Sequence, residues 1–191
     1  MSLFRSRRKG RVLVELPPYA AALLANLTRQ LIELLSDGEP TDASQDPLEA
    51  MLAMDGPRDA PEDAALRRLF PDARRDDEEA AAEFRRFTER NLRDGKVRDA
   101  TVVLTSLGGV DAPTDVDPDV DLEFELDRDQ VRAWLRCLTD LRLTLAERLG
   151  VTANDDAYWD ALEPDDERLP IYEIYGWLGY LLESLLDAAG K

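Results

Sequence analysis

Trp134-Leu-Arg-Cys-Leu-Thr-Asp-Leu-Arg-Leu-Thr-Leu-Ala-Glu-Arg-Leu149 is the stretch that decides the fold class. With Val131 just ahead of it, Trp134, Leu138, Leu141 and Leu145 recur every three or four residues. That period stacks side chains along one face of an α-helix. Asp127 precedes Gln130 by the spacing of a capping box, and Gly150 supplies a stop. The spacing predicts one long helix between Asp127 and Gly150, turning an apolar stripe to a core.

Upstream of that helix, Val120, Leu122, Phe124 and Leu126 alternate with acids, the pattern of a half-buried strand. Val12, Val14 and Leu16 form a second strand-like segment that stops at Pro17-Pro18, residues suited to a helix entry. Two isolated strand candidates most economically pair with each other, and a two-stranded ribbon is marginal alone, so it should lie on helices. From Tyr19 to Leu35, Ala20, Leu23, Leu24, Leu27, Leu31 and Leu34 fall at helical spacing, and Ser36-Asp-Gly-Glu-Pro40 ends the run.

Thr41 to Arg75 is punctuated by proline, with short helical pieces around Pro47 to Met54 and Pro61 to Phe70. Asp76-Asp-Glu-Glu79 then opens a strong helix in which Ala80, Phe84, Phe87 and Asn91 share a face. Acids stand at its start and Arg85, Arg86, Arg90 and Arg93 follow, an order that complements the helix dipole. Gly95 is expected to break or bend it before Val97, Ala100, Thr101, Leu104 and Leu107 continue the pattern. Gly108 to Asp119 reads as a loop, and Pro170 opens a last helix from Ile171 to Ala188. The expected fold is mainly α: a helical bundle with a two-stranded ribbon, 12–16 paired with 120–126. Residues 1–11 are expected as a basic flexible arm. Residues 12–191 are expected as one domain, with mobile connections near 37–62, 108–119 and 151–169.

The chain of 191 residues carries a formal net charge of −17 and has no histidine and one cysteine. That field repels phosphate backbones and anionic membranes, so neither direct nucleic-acid nor membrane binding is expected. The basic arm, Arg5, Arg7, Arg8, Lys9 and Arg11, reads as a solubilising terminus because it lacks interleaved aromatics. A lone cysteine forbids an internal disulfide, no start resembles a signal peptide, and no run approaches the ~20 apolar residues that cross a bilayer. The protein is expected to be cytoplasmic.

Catalytic equipment is sparse. Without histidine, a general base near neutral pH needs a carboxylate of raised pKa, which sequence does not reveal. Neither a metalloprotease helix motif, a phosphate-binding glycine loop nor a dinucleotide fingerprint is present. Asp115, Asp117, Asp119 and Asp121 invite a calcium loop, but the positions that need glycine and glutamate hold Val120 and Leu126. No metal, cofactor or catalytic residue is assigned. Cys137 falls at the edge of the apolar stripe, where a half-buried structural cysteine is weighed against a redox thiol. The last helix is apolar almost all round and Leu143 lies opposite the main stripe. Leu143, Tyr172, Tyr175, Trp177 and Tyr180 are therefore the candidate partner or dimer face. Gly176 and Gly179 would fit a close helix approach.

Leu66-Arg-Arg-Leu-Phe-Pro-Asp72, Glu83-Phe-Arg-Arg-Phe-Thr-Glu89, Trp134 to Leu145 and Tyr175-Gly-Trp-Leu-Gly-Tyr-Leu-Leu-Glu-Ser-Leu185 together resemble an actinobacterial family. That family, formerly a domain of unknown function, is named for the AosR-type oxidative-stress regulator. The strand-then-Pro-Pro-Tyr opening at Val12 to Tyr19 is similar too, so the resemblance spans nearly the whole chain. It implies a cytosolic regulator that acts through protein partners, with transcription in stress as the setting. The family's redox behaviour rests on a pair of nearby cysteines; Cys137 stands alone here, which excludes a disulfide switch within the chain. The functional expectation is a non-enzymatic regulator binding a protein of the transcription machinery, with homodimerisation beside it. The alternative is an enzyme with a carboxylate-based or metal-dependent site.

Overall fold

The computed structural model describes residues 3–36, 59–72, 77–108, 120–152, 156–159 and 162–190. The elements are β1 (Phe4–Ser6), β2 (Val12–Leu16), α1 (Pro18–Ser36), α2 (Ala64–Leu69), α3 (Glu78–Ser106), β3 (Leu122–Leu126), α4 (Arg128–Leu149), α5 (Asp156–Trp159) and α6 (Leu169–Ala189). The protein is mainly α with a small antiparallel sheet, as its periodicities predict.

The helix that anchors the sequence reading is also the centre of the fold. Asp127 accepts from the backbone of Asp129 and Gln130, and the Gln130 side chain returns to Asp127, completing the capping box. Gly150 ends the helix at φ +74, and its N–H reaches Ala146 and Glu147. α4 packs against α2, α3 and α6 and touches α1. Trp134 is its fully buried anchor, edge-on to Phe4 at 6.1 Å and tilted against Phe124 at 5.8 Å. Its indole N–H donates to the Ser106 hydroxyl at 3.4 Å, so one side chain ties the sheet to α3 and α4.

The ribbon differs from expectation in having three strands, in the order β1-β2-β3. Val12 pairs with Leu126 and Val14 with Phe124, the expected partnership, although β3 begins at Leu122 and leaves Val120 exposed. The added edge comes from the segment expected as a flexible arm. Phe4 pairs with Val14, is buried and lies against Trp134. One apolar side chain outweighs the basic composition around it. Its neighbour Arg5 bridges to Glu15, which relieves the like-charge pairing of Glu15 with Glu123 across β2 and β3. Lys9 at φ +64 and Gly10 at φ +72 turn the chain from β1 into β2. Glycine suits this turn because φ +72 strains any L side chain, while the nearby Arg128 side chain is exposed and could move aside.

α3 is continuous through Gly95, contrary to the expected break. One interior glycine costs only about 1 kcal/mol relative to alanine, and packing of α3 on both α1 and α4 outweighs that. The helical piece expected around Pro61 to Phe70 is α2, capped by Asp63. The one expected around Pro47 to Met54 lies outside the described residues, as do most of the connections near 37–62 and 108–119. The third connection, 151–169, contains α5, a short helix that its acidic composition concealed. No helix of the described residues is long and apolar enough to cross a membrane.

Candidate functional site

α4 has two functional-looking sides. The first carries Cys137, which is 1 % exposed rather than half-buried at a stripe edge. Its wall is completed by Thr28 of α1, fully buried and donating to the Leu24 carbonyl at 2.7 Å. Burial pushes the thiol pKa up to about 12; the Asp140 charge adds to the rise, and the Thr28 hydrogen bond opposes it. Such a thiol stays protonated and inert at neutral pH.

One turn on, Asp140 accepts from Lys96 of α3 at 2.6 Å. Burial raises the Asp140 pKa, and the lysine offsets part of that rise. Lys96 also lies 5.9 Å from the Phe70 ring, and Arg93 stacks on the same ring at 4.9 Å. Arg93 donates to Glu89 at 2.7 Å and to the Leu35 carbonyl. Arg85 approaches Glu89 and pairs with Asp72. Segments 66–72 and 83–89, which the sequence singled out, therefore meet in one buried ionic seam joining α2 to α3. They serve the scaffold: the seam holds paired charges, and a pair broken in such a place leaves an uncompensated charge.

The second side of α4 faces α6 and α5. There Arg142 lies over the Tyr175 ring at 4.7 Å. Trp159 of α5 stacks on Tyr172 at 4.7 Å with an interplanar angle of 11°, and Tyr172 stacks on Tyr175 at 6.0 Å. These groups, with Gly176 and Glu173, line a cleft of about 710 Å³. Arg168 hydrogen-bonds Asp166 and the Tyr158 hydroxyl and lies 5.7 Å from the Trp159 ring, bracing α5. The Arg168 hydrogen bonds lower the Asp166 pKa to about 2, so the brace is ionic at neutral pH.

The partner face expected from the sequence is therefore divided. Tyr172 and Tyr175 belong to the cleft, Trp177 and Leu143 are partly buried against the core, and Tyr180 is 48 % exposed. Leu178, Leu181, Leu185 and Ala188 are the buried face of α6. Its outward face carries Glu173, Glu183 and Asp187 beside Tyr180. Gly179 does meet α4, with the Arg142 guanidinium 3.4 Å from where its Cβ would stand, whereas nothing lies within 4 Å of that position at Gly176. Arg142 and Trp159 were missed by sequence reasoning. The Tyr158-Trp159 pair in an acidic connection was the available signal.

A different apolar surface is left open. Phe84, Phe87 and Leu92 on α3 are 50 %, 53 % and 50 % exposed. Phe84 and Leu92 flank a shallow groove floored by Phe70 and Pro71. Among the described residues no group of three or more His, Cys, Asp or Glu side chains stands together to hold a metal ion.

Residues 1–189 match a protein family described as "Domain of unknown function (DUF2017)". No curated protein and no solved structure matches the chain.

Proposed function

We propose that this chain, which belongs to the DUF2017 family of unknown function, is a non-enzymatic regulator acting by binding a protein partner. The observation that carries the reading is the open apolar face of α3. Phe84, Phe87 and Leu92 are half-exposed large side chains on one stretch of helix, and Phe84 and Leu92 are separated by two turns along the same row. Aromatic anchors of this kind, spaced along a helix, are what a groove or a second helix on a partner takes up. The resemblance to AosR-type regulators supports the same reading and suggests the transcription machinery as the partner's setting.

Affinity capture from native lysate tests it. A specific partner recovered by the wild type and lost with Phe84→Ser/Phe87→Ser, at unchanged melting temperature, is the expected result. Equal recovery by both proteins, or none above a charge-matched control, overturns it. A second copy of the chain is a further occupant to test. Tyr180 and Leu186 are exposed on α6, and light scattering at high micromolar protein distinguishes dimer from monomer. Salt should strengthen any dimer, because it screens the repulsion between two strongly acidic chains.

A further inference from the structure

Three independent features mark the cleft between α4, α5 and α6. First, two hydrogen-bond donors on its walls are buried and unmatched. Among the described residues, Nε1 of Trp159, a residue 2 % exposed, and Nε of Arg142 have no hydrogen-bond partner. Buried donors are nearly always satisfied, so two among the residues that line one cleft point to acceptor atoms that the described residues do not supply.

Second, the Arg142 guanidinium contacts the Tyr175 ring and, among the described residues, pairs with no carboxylate. A cation of fixed plane left without an anion is suited to bidentate capture of a carboxylate. Third, Gly176 lies inside a helix, where glycine costs about 1 kcal/mol relative to alanine. Its φ is not positive, and nothing within 4 Å forbids a side chain. Neither packing nor backbone conformation requires glycine there, and its lack of a side chain leaves room in the cleft that Gly176 helps to line.

The remaining walls define the body of the ligand. Tyr172 and Tyr175 line the cleft, with the buried Trp159 ring stacked behind Tyr172, and such an aromatic wall favours a flat apolar group. A volume of about 710 Å³ lies in the range of small-molecule sites. The wall also carries Glu173. In a chain of net charge −17, that favours a single negative charge over a phosphate dianion.

We propose that this cleft binds a small organic carboxylate with a planar apolar body. Arg142 receives the carboxylate, and the Tyr172 and Tyr175 rings, backed by Trp159, receive the body. The site is independent of the partner-binding face on α3, so either can fail without the other.

Isothermal titration with naphthalene-2-carboxylate and its neutral counterpart naphthalene-2-carboxamide tests the assignment, with tryptophan fluorescence as a second readout. The wild type should bind the carboxylate saturably, one per chain, and about tenfold or more tighter than the carboxamide, the factor a charge-assisted hydrogen bond gives. Arg142→Gln should bring the two affinities together. Gly176→Leu should abolish binding of both while melting no lower than wild type, since it fills the cleft and removes a helix glycine. Three results would each overturn the proposal: no saturable binding at millimolar probe, unchanged binding in Gly176→Leu, or a carboxylate preference that survives Arg142→Gln.

Discussion

The two sides of α4 handle polar groups in opposite ways. Toward α1, α2 and α3, charges are buried as ion pairs: Glu89 with Arg93 and Arg85, Asp140 with Lys96, each braced by a ring, a carbonyl or both, although Oε2 of Glu89 accepts no hydrogen bond among the described residues. Toward α5 and α6, the buried groups include two donors, Nε of Arg142 and Nε1 of Trp159, that go unmatched among the described residues beside an open cleft. A matched buried pair returns little net stability but fixes which elements meet. An unmatched donor is a standing cost that only a ligand or solvent relieves. The contrast separates the side that specifies the fold from the side available for binding.

The largest effect that tests this contrast is on the matched side. Glu89→Ala should lose about 3–5 kcal/mol in urea denaturation, because Arg93 stays buried without its carboxylate. A loss below about 1 kcal/mol, the size of an exposed pair, would show that water reaches the seam. Cys137→Ser should cost about 1–3 kcal/mol, the range for placing a hydroxyl in a tight interior. In the wild type, with the thiol pKa near 12, only about one molecule in ten thousand carries a thiolate at pH 8. Alkylation should therefore await unfolding, and peroxide should give no reductant-reversible dimer on a non-reducing gel. Such a dimer, absent in Cys137→Ser, would show the thiol to be accessible.

Much of this was legible in the sequence because it is local. The α4 cap at Asp127 and stop at Gly150, the apolar stripe and the alternation of β3 each lie within a few residues of one another. β1 was not legible, since Phe4-Arg-Ser is too short to alternate and its burial depends on Val14 and Trp134. The apolar reading of α6 left the roles of its aromatic residues undivided for a similar reason. Tyr172, Tyr175 and Trp177 are apolar by type, yet two of them stack into a cleft whose other wall is supplied by Trp159 and Arg142. A site made by groups on three separate helices leaves no spacing to read. Glycine at 176 was visible, but only the space around it distinguishes a cleft wall from a helix contact.

The next effect compares glycines. Gly176→Ala should raise stability by about 1 kcal/mol, as for an unconstrained helix position. Gly150→Ala, forced to φ +74, should lose about 1–2 kcal/mol. Thermal melts of the two variants should therefore move in opposite directions, and a destabilised Gly176→Ala would mean that the wall has no spare room.

The smallest effect is in pH dependence. Burial raises the Asp140 pKa, so the folded state holds this proton more readily than the unfolded chain does. Its contribution to stability is therefore fully present below the ordinary value of 3.8 and declines as pH rises through the raised folded pKa. Asp63 runs the other way. Burial works to raise its pKa, but Arg148 and the helix N–H donors outweigh it and hold it below 3.8, so its contribution is lost as pH falls. Urea midpoints of Asp140→Asn should lack the decline with rising pH seen in wild type, and parallel profiles would assign that slope elsewhere.

The sheet order has a consequence for synthesis. β2 is the central strand, yet its inner partner β3 is translated only after α1, α2 and α3, and β1 is finally covered by α6. A growing chain therefore carries the apolar faces of Val12, Val14 and Phe4 through most of translation without the elements that bury them. Vectorial folding from the first residues onward is closed to this topology. The β1–β2 hairpin is local, but its far edge waits for β3 and its cover for α6, and until then that edge is an unpaired one that pairing with another chain could claim.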